Sequence, residues 1–161
     1  INPGNSGGPL LDLSGNVIGV NVATSLQGEN ISFSLPANEV KRAVDSVRET
    51  GKISRAYLGV RYMPVTPQMA EQNGLSVDYG AIILRGDNRE LAVIPGSPAD
   101  KAGLEENDII LEVNGQQLDE EHPLAYVLRG IAVGETVTLK VLHDGAEKTV
   151  EVVLEERPEN D

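Results

Sequence analysis

Residues 94–115, "IPGSPADKAGLEENDIILEVNG", hold the densest structural punctuation in the chain. Ser97 ahead of Pro98 reads as an N-cap with proline at the first helical position, and Gly103 ends the one or two helical turns that follow. "DIILEVNG" then reads as a strand closed by an Asn-Gly turn. On the N-terminal side, "YLGVRYM" (57–63) reads as a strand and "TPQMAEQNGL" (66–75) as a short helix stopped by Gly74. "GAIILR" and "ELAVI" read as strands around a turn at Gly86-Asp87-Asn88. On the C-terminal side, "EEHPLAYVLRGI" (120–131) reads as a helix. "ETVTLKVL" and "KTVEVVL" follow as a hairpin around His143-Asp144-Gly145-Ala146. About six short strands and two full helices over roughly 100 residues make a small β-rich module with helical caps. "EERPEND", the tail, reads as acidic and frayed.

Upstream of this module the pattern changes. "PLLDLSGNVIGVNVAT" (9–24) reads as two strands joined at Ser14-Gly15-Asn16, with β-branched Val17, Ile18, Val20 and Val22 in the second. "ISFSL" (31–35) is a further strand, broken by Pro36. Asn38 is then placed to cap a helix carrying Val40, Ala43, Val44 and Val47 at helical spacing, with Gly51 as its C-terminal stop.

Composition narrows the function. The 161 residues suit one domain, or one domain plus a remnant of another. Hydrophobic residues make up 40%, but aromatics only 3%, so the core is aliphatic. The net charge of −12 argues against nucleic acid and anionic membrane as partners. Most of it, −10, falls on residues 51–161, and it reads as solvated surface. There is no cysteine, which removes disulfides, thiolate metal sites and Cys nucleophiles. No cofactor and no metal site is expected. Position 1 is Ile and no signal peptide is visible, so the chain reads as a fragment of a longer protein.

The first ten residues, "INPGNSGGPL", set Ser6 among glycines. A serine nucleophile has to project its hydroxyl from a tight turn, with backbone amides aimed at the developing oxyanion. Glycines at 4, 7 and 8 permit such a turn and close approach of substrate. Ser6 is therefore a candidate nucleophile, with the amides of Gly4 and Ser6 as the oxyanion hole. A glycine-rich loop without chemistry fits these residues equally well. Only five residues precede Ser6, and none is His or Asp. The two histidines, His122 and His143, both lie far downstream. His143 reads as a solvated turn residue, and His122 as a charge partner for the acidic residues before it. A hydroxyl without a base is not an activated nucleophile.

Taken in order, "INPGNSGGPLLDLSGNVIGVNVAT", "ISFSLPANEVKRAVDSVRETGKI", "RAYLGV" and "IPGSPADKAGLEENDIILEVNG" resemble the HtrA/Deg family. These are trypsin-like serine endopeptidases with a C-terminal PDZ domain, acting on misfolded or unfolded proteins. The resemblance spans essentially the whole chain. It implies a mostly β fold with α: the remnant of a trypsin-like β-barrel and its C-terminal helix over 1–50, then a linker over 51–56. A PDZ domain, a partial β-barrel capped by two helices, would occupy 57–156, and an acidic tail 157–161. It further implies Ile31, Ser32 and Phe33 beside the substrate's S1 pocket, a bacterial periplasmic or other extracytoplasmic location, and a homo-oligomeric parent. The fragment itself would be a monomer or a strand-exchanged dimer. A stand-alone peptide-binding PDZ adaptor is the rival reading.

Tyr57-Leu58-Gly59-Val60 resembles the PDZ carboxylate-binding loop. Successive amides there can turn toward a terminal carboxylate because Gly59 relieves crowding. Arg55, just upstream, is placed to add a charged contact. The strand Val60, Arg61 and Tyr62 would offer its edge to an extended peptide. Alignment of the 122–131 helix with the family pattern puts Leu124 and Leu128 in the core and Pro123, Val127 and Ile131 in the groove. The expected partners are C-terminal or unfolded peptides ending in an aliphatic side chain. Pro123 stands where many PDZ domains have histidine, which weakens the case for serine or threonine two positions before the peptide's last residue.

Overall fold

The computed structural model describes residues 4–24, 32–87 and 90–158. Ile31, Asn88 and residues 159–161 of the acidic tail, all named above, lie outside the described residues. The chain forms two compact units, residues 1–54 and 55–161.

In the first unit β1 (Pro9–Leu11), β2 (Val17–Thr24) and β3 (Ser32–Pro36) form an antiparallel sheet in that order. The β1–β2 turn is held by Asp12, whose carboxylate accepts the Ser14 and Asn16 amides at 2.9 and 2.8 Å. The Asn16 side-chain amide, donating to the other carboxylate oxygen at 2.9 Å, together with these backbone bonds favours the ionised form and holds the Asp12 carboxyl below its usual range. Helix α1 (Ala37–Thr50) follows directly, and Gly51 in the left-handed region stops it. The helix starts one residue before the expected Asn38 cap. Pro36 takes the capping position, and no side chain caps the end. Three strands and one helix leave this unit without a deep core. Leu11, Val17, Ile18, Phe33, Val44 and Val47 are all exposed.

The second unit is built on a sheet ordered β10-β9-β7-β6-β5. Its members are β5 (Tyr62–Pro64), β6 (Ala81–Ile83), β7 (Ile109–Val113), β9 (Thr136–His143) and β10 (Ala146–Val153), with β8 (Gln116–Gln117) paired to β7. Along β9 the pattern alternates, with Val137, Leu139 and Val141 buried and Thr136 and Thr138 exposed. Over Ile109–Leu111 central β7 is buried on both faces, and there its sequence is apolar at every position rather than alternating; Glu112 is half-buried. Ile110 faces the main core with Ile83, Leu139 and Leu154. Ile109 and Leu111 face a smaller cluster with Val65, Ala70 and Ile82. Ala70 belongs to α2 (Pro67–Asn73), capped by the Thr66 hydroxyl. The main core also takes Ala99 of α3 (Pro98–Lys101) and Leu124 of α4 (Leu124–Arg129).

Three expectations change. "YLGVRYM" is not one strand: β4 (Ala56–Tyr57) and β5 are separated by a loop with Gly59 at φ +86°. "ELAVI" contributes only the bridge of Val93 to Val60. The start of "EERPEND" is not frayed, because β11 (Glu155–Glu156) pairs with β4, and Lys101 bridges to Glu155.

Candidate functional site

Ser6 sits on the loop before β1. Gly4 and Gly7 adopt φ of +100° and +83°. The loop is tied to β2 through the Gly7 amide to the Asn21 carbonyl at 2.7 Å and the Asn21 amide to the Gly8 carbonyl at 3.0 Å. The Ser6 hydroxyl is exposed and donates to the Val22 carbonyl at 3.3 Å. Ser32 and Phe33 stand in register with Thr24 and Ala23, so β2 brings them close to the Ser6 loop. No histidine belongs to this unit, since the chain's two are His122 and His143. The loop is a glycine-rich turn that presents an exposed serine hydroxyl.

The second unit holds a more complete arrangement. Leu58 and Gly59 are buried, and their carbonyls point inward. The Leu58 carbonyl accepts the Ala99 amide at 2.8 Å. The Gly59 carbonyl accepts the Ile94 amide at 2.9 Å and the Ser97 hydroxyl at 3.3 Å. No backbone acceptor takes the Gly59 or Val60 amide among the described residues. Buried amides are nearly always paired, so a turn that fixes its carbonyls inward and leaves these amides unclaimed is suited to an anion. A Cβ on Gly59 would stand 2.1 Å from the Ser97 Cβ, so only glycine fits.

Past the loop, Arg61 donates to the Ala92 carbonyl and accepts from Leu84, on the side of the chain's own sheet. Alternation along an extended strand turns the backbone of Val60 and Tyr62 to the opposite, open edge. β5 is an end strand of its sheet. Val60, Tyr62, Val127, Leu128 and Ile131 are half-buried around the main core, and Leu124 beneath them is 1% exposed. Val127 and Leu128 are therefore alike in burial, although the alignment with the family pattern puts only Leu128 of the two in the core. Helix α4 is six residues long with Pro123 at its cap, shorter than expected. The Arg61 side chain turns away to Glu90 at 2.9 Å and the Leu91 carbonyl at 2.8 Å. Arg55 is exposed, and its carbonyl accepts the Arg157 amide at 3.0 Å. Tyr57 lies in β4, opposite Glu155.

Residues 56–154 match the protein family described as PDZ domain. Across the whole chain, a "Probable periplasmic serine endoprotease DegP-like" of Marinomonas sp. (strain MWYL1) is 44% identical over 161 residues, 98% of this chain and 33% of that protein. "Serine protease Do-like HtrA" of Bacillus subtilis (strain 168) is 36% identical, over 99% of this chain and 36% of its own. Among solved structures, "HtrA-type protease AlgW with decapeptide" superposes with a TM-score of 0.72 at 30% identity, over 98% of this chain and 47% of that one. The chain belongs to the PDZ-containing HtrA family. It spans about a third of the length of these curated HtrA relatives. Within this HtrA chain the sequence reading missed two residues at the loop and groove. Ser97 was read only as a helix cap, yet its hydroxyl also reaches the Gly59 carbonyl. Tyr62 was read as strand backbone, yet its phenol reaches α4. No local spacing signals either contact, because each joins segments far apart in sequence.

His143 is likewise not a simple turn residue. Its Nδ1 lies 2.5 Å from the carboxylate of Asp108, which is 1% exposed and also accepts the Glu105 amide. Lys148 approaches the same carboxylate at 3.6 Å. The Asp108 hydrogen bond and charge raise the His143 pKa above 6.5. Proton linkage then fixes the sign. The pair's stabilisation is fully present below the unfolded value and is lost as pH rises through the raised folded value. Melting of the wild type should therefore move to lower temperature as pH rises through that window. The dependence should flatten in His143→Gln, and an unchanged pH profile in that variant would rule the pair out as its source.

Proposed function

We propose that this chain binds the C-termini of unfolded or misfolded peptides through its PDZ domain, as the C-terminal part of an HtrA-type serine endopeptidase of the bacterial cell envelope. The observation that carries this reading is the Leu58-Gly59-Val60 turn, with its carbonyls tied inward and its Gly59 and Val60 amides unclaimed. A peptide carboxylate would accept those amides. The preceding residues would add as a strand to the Val60–Tyr62 edge, between β5 and α4. Leu58, Val60, Val127 and Ile131 supply an apolar surround for an aliphatic last side chain, and Pro123 borders the groove. Arg55 adds positive charge near the carboxylate, and the backbone of Tyr57 and Arg61 flanks the loop on either side. In this reading residues 1–50 belong to a protease domain, 51–56 link it to the PDZ domain, and 157–161 are a tail. Ser6 is the nucleophile, Gly4 contributes to the oxyanion hole, and Ile31, Ser32 and Phe33 flank the S1 pocket. A homo-oligomeric parent agrees with the exposed apolar side chains of the first unit, which need a cover. By itself the chain is a monomer or a strand-exchanged dimer.

Two measurements test this. Free-acid peptides with an aliphatic last residue should bind on the order of micromolar, since one added strand buries little area. Amidation of the peptide's C-terminus should weaken binding at least about tenfold, the loss of one charge-assisted hydrogen bond or more. Equal binding of the two forms would refute the carboxylate turn. The 161-residue chain and its Ser6→Ala variant should show the same background turnover of casein. Serine-dependent hydrolysis would mean that Ser6 has found a base.

A further inference from the structure

The carboxylate turn is aimed from behind. A trans peptide unit is planar, so the Leu58 carbonyl and the Gly59 amide point in opposite directions, and whatever holds the carbonyl also aims the amide. The Leu58 carbonyl is held by the amide of Ala99 in α3. The Ala99 carbonyl accepts the Leu104 amide at 3.0 Å. Helix α3 is four residues long, too short to be stable alone, and residues 104–108 carry it into β7. Asp108 ties that segment down. One of its carboxylate oxygens accepts the Glu105 amide at 3.0 Å, and the other lies 2.5 Å from His143 Nδ1.

Asp108 is 1% exposed, and a carboxylate buried to that degree needs a charge partner. The other charged groups facing the pair are Lys148 of β10, 3.6 Å from the Asp108 carboxylate, and Asp144 of the hairpin turn, 3.8 Å from His143 Nε2. Of these groups His143 is the one that changes charge near neutral pH. Protonated, it gives Asp108 a hydrogen-bonded cation. Neutral, it leaves the carboxylate with Lys148, at the longer distance. We propose that Asp108 and His143 are positioning residues for the carboxylate turn, acting through the 104–108 segment and α3, and that protonation of His143 tightens peptide binding. This rests on the peptide-binding reading above and adds its regulation by pH.

The test titrates a free-acid peptide with an aliphatic last residue into the whole chain at a series of pH values, with circular dichroism confirming a folded chain at each. The peptide carboxylate is ionised throughout the neutral range, so its own charge stays constant. Wild-type affinity should fall at least about fivefold as pH rises through the His143 titration. His143→Gln should bind with one affinity at every pH. His122→Gln should keep the wild-type profile, since His122 pairs with Asp119 instead. Linkage is reciprocal, so saturating peptide should raise the His143 midpoint, read by NMR of its imidazole, by about 0.7 pH unit, the same fivefold. That measurement needs no variant to fold. A wild-type affinity independent of pH would overturn the proposal. So would a profile that survives in His143→Gln or vanishes in His122→Gln, or a His143 midpoint that peptide leaves in place. An amidated peptide separates the two levels. If it binds as well as the free acid, the carboxylate reading itself has failed. If amidation abolishes binding but pH has no effect, only the role of Asp108 and His143 has failed.

Discussion

Gly59→Ala is expected to abolish carboxylate-dependent peptide binding and to lower the stability of the 55–161 unit by about 2–5 kcal/mol. That range joins about 1–2 kcal/mol for a side chain in the left-handed region to about 1–3 kcal/mol for overpacking. Both terms act at this residue. Its φ is +86°, and an added Cβ would meet the Ser97 Cβ at 2.1 Å and its Oγ at 2.4 Å. Ser97 cannot yield easily. It is 4% exposed, caps α3 through the Asp100 amide, and donates to the Gly59 carbonyl. The turn has to shift instead, and the amide directions on which anion binding depends shift with it. Denaturant unfolding and peptide titration measure the two effects. The double variant Gly59→Ala, Ser97→Gly should recover part of the stability, because removing the serine side chain opens the space and glycine at an N-cap costs only a few tenths of a kcal/mol. Wild-type binding in Gly59→Ala would show that the turn does not hold the carboxylate.

Much of this architecture was legible because its signals are local. Ser97-Pro98, Thr66-Pro67 and the stops at Gly51 and Gly74 act within one helical turn, and the structure places helix ends at each of them. The hairpin at Asp144-Gly145 follows from two residues with positive φ between alternating strands. What sequence could not give depends on distant partners. The break in "YLGVRYM" is enforced by α3 and by residues 92–94, which claim the Leu58, Gly59 and Arg61 backbone. "ELAVI" reads as a full strand by composition, but only Val93 finds a bridge. Glu155 and Glu156 look like a solvated tail until β4 offers them an edge. At the candidate site the turn was visible as an apolar-Gly-apolar pattern. The side chains that hold it, Ser97 38 residues from Gly59 and Tyr62 63 residues from Ala125, were not.

The helix wall of the groove gives the other large expected effect. Leu124→Asp should unfold the 55–161 unit, whereas Val127→Asp should leave it folded and weaken peptide binding more than about tenfold. Leu124 is 1% exposed, buried in the same core as Val137, Leu139 and Leu154. A carboxylate buried there without a partner costs several kcal/mol, comparable to the whole stability of a small domain, at about 5–15 kcal/mol. Val127 is half-buried at the margin of the same core, one turn away and able to keep a carboxylate hydrated. Its substitution should cost no more than about 1 kcal/mol of folding stability. It would also set a negative charge beside the bound peptide's own carboxylate, where the two repel. Leu128, half-buried like Val127, should fall between them: Leu128→Asp loses stability, but less than Leu124→Asp. Thermal melts by circular dichroism rank the three variants, and titration of the Val127 variant reads the groove. If Val127→Asp melts as early as Leu124→Asp, Val127 belongs to the core, and the peptide has to find its apolar surround elsewhere on the unit. If Val127→Asp is stable and binds as the wild type does, α4 is not a wall of the site.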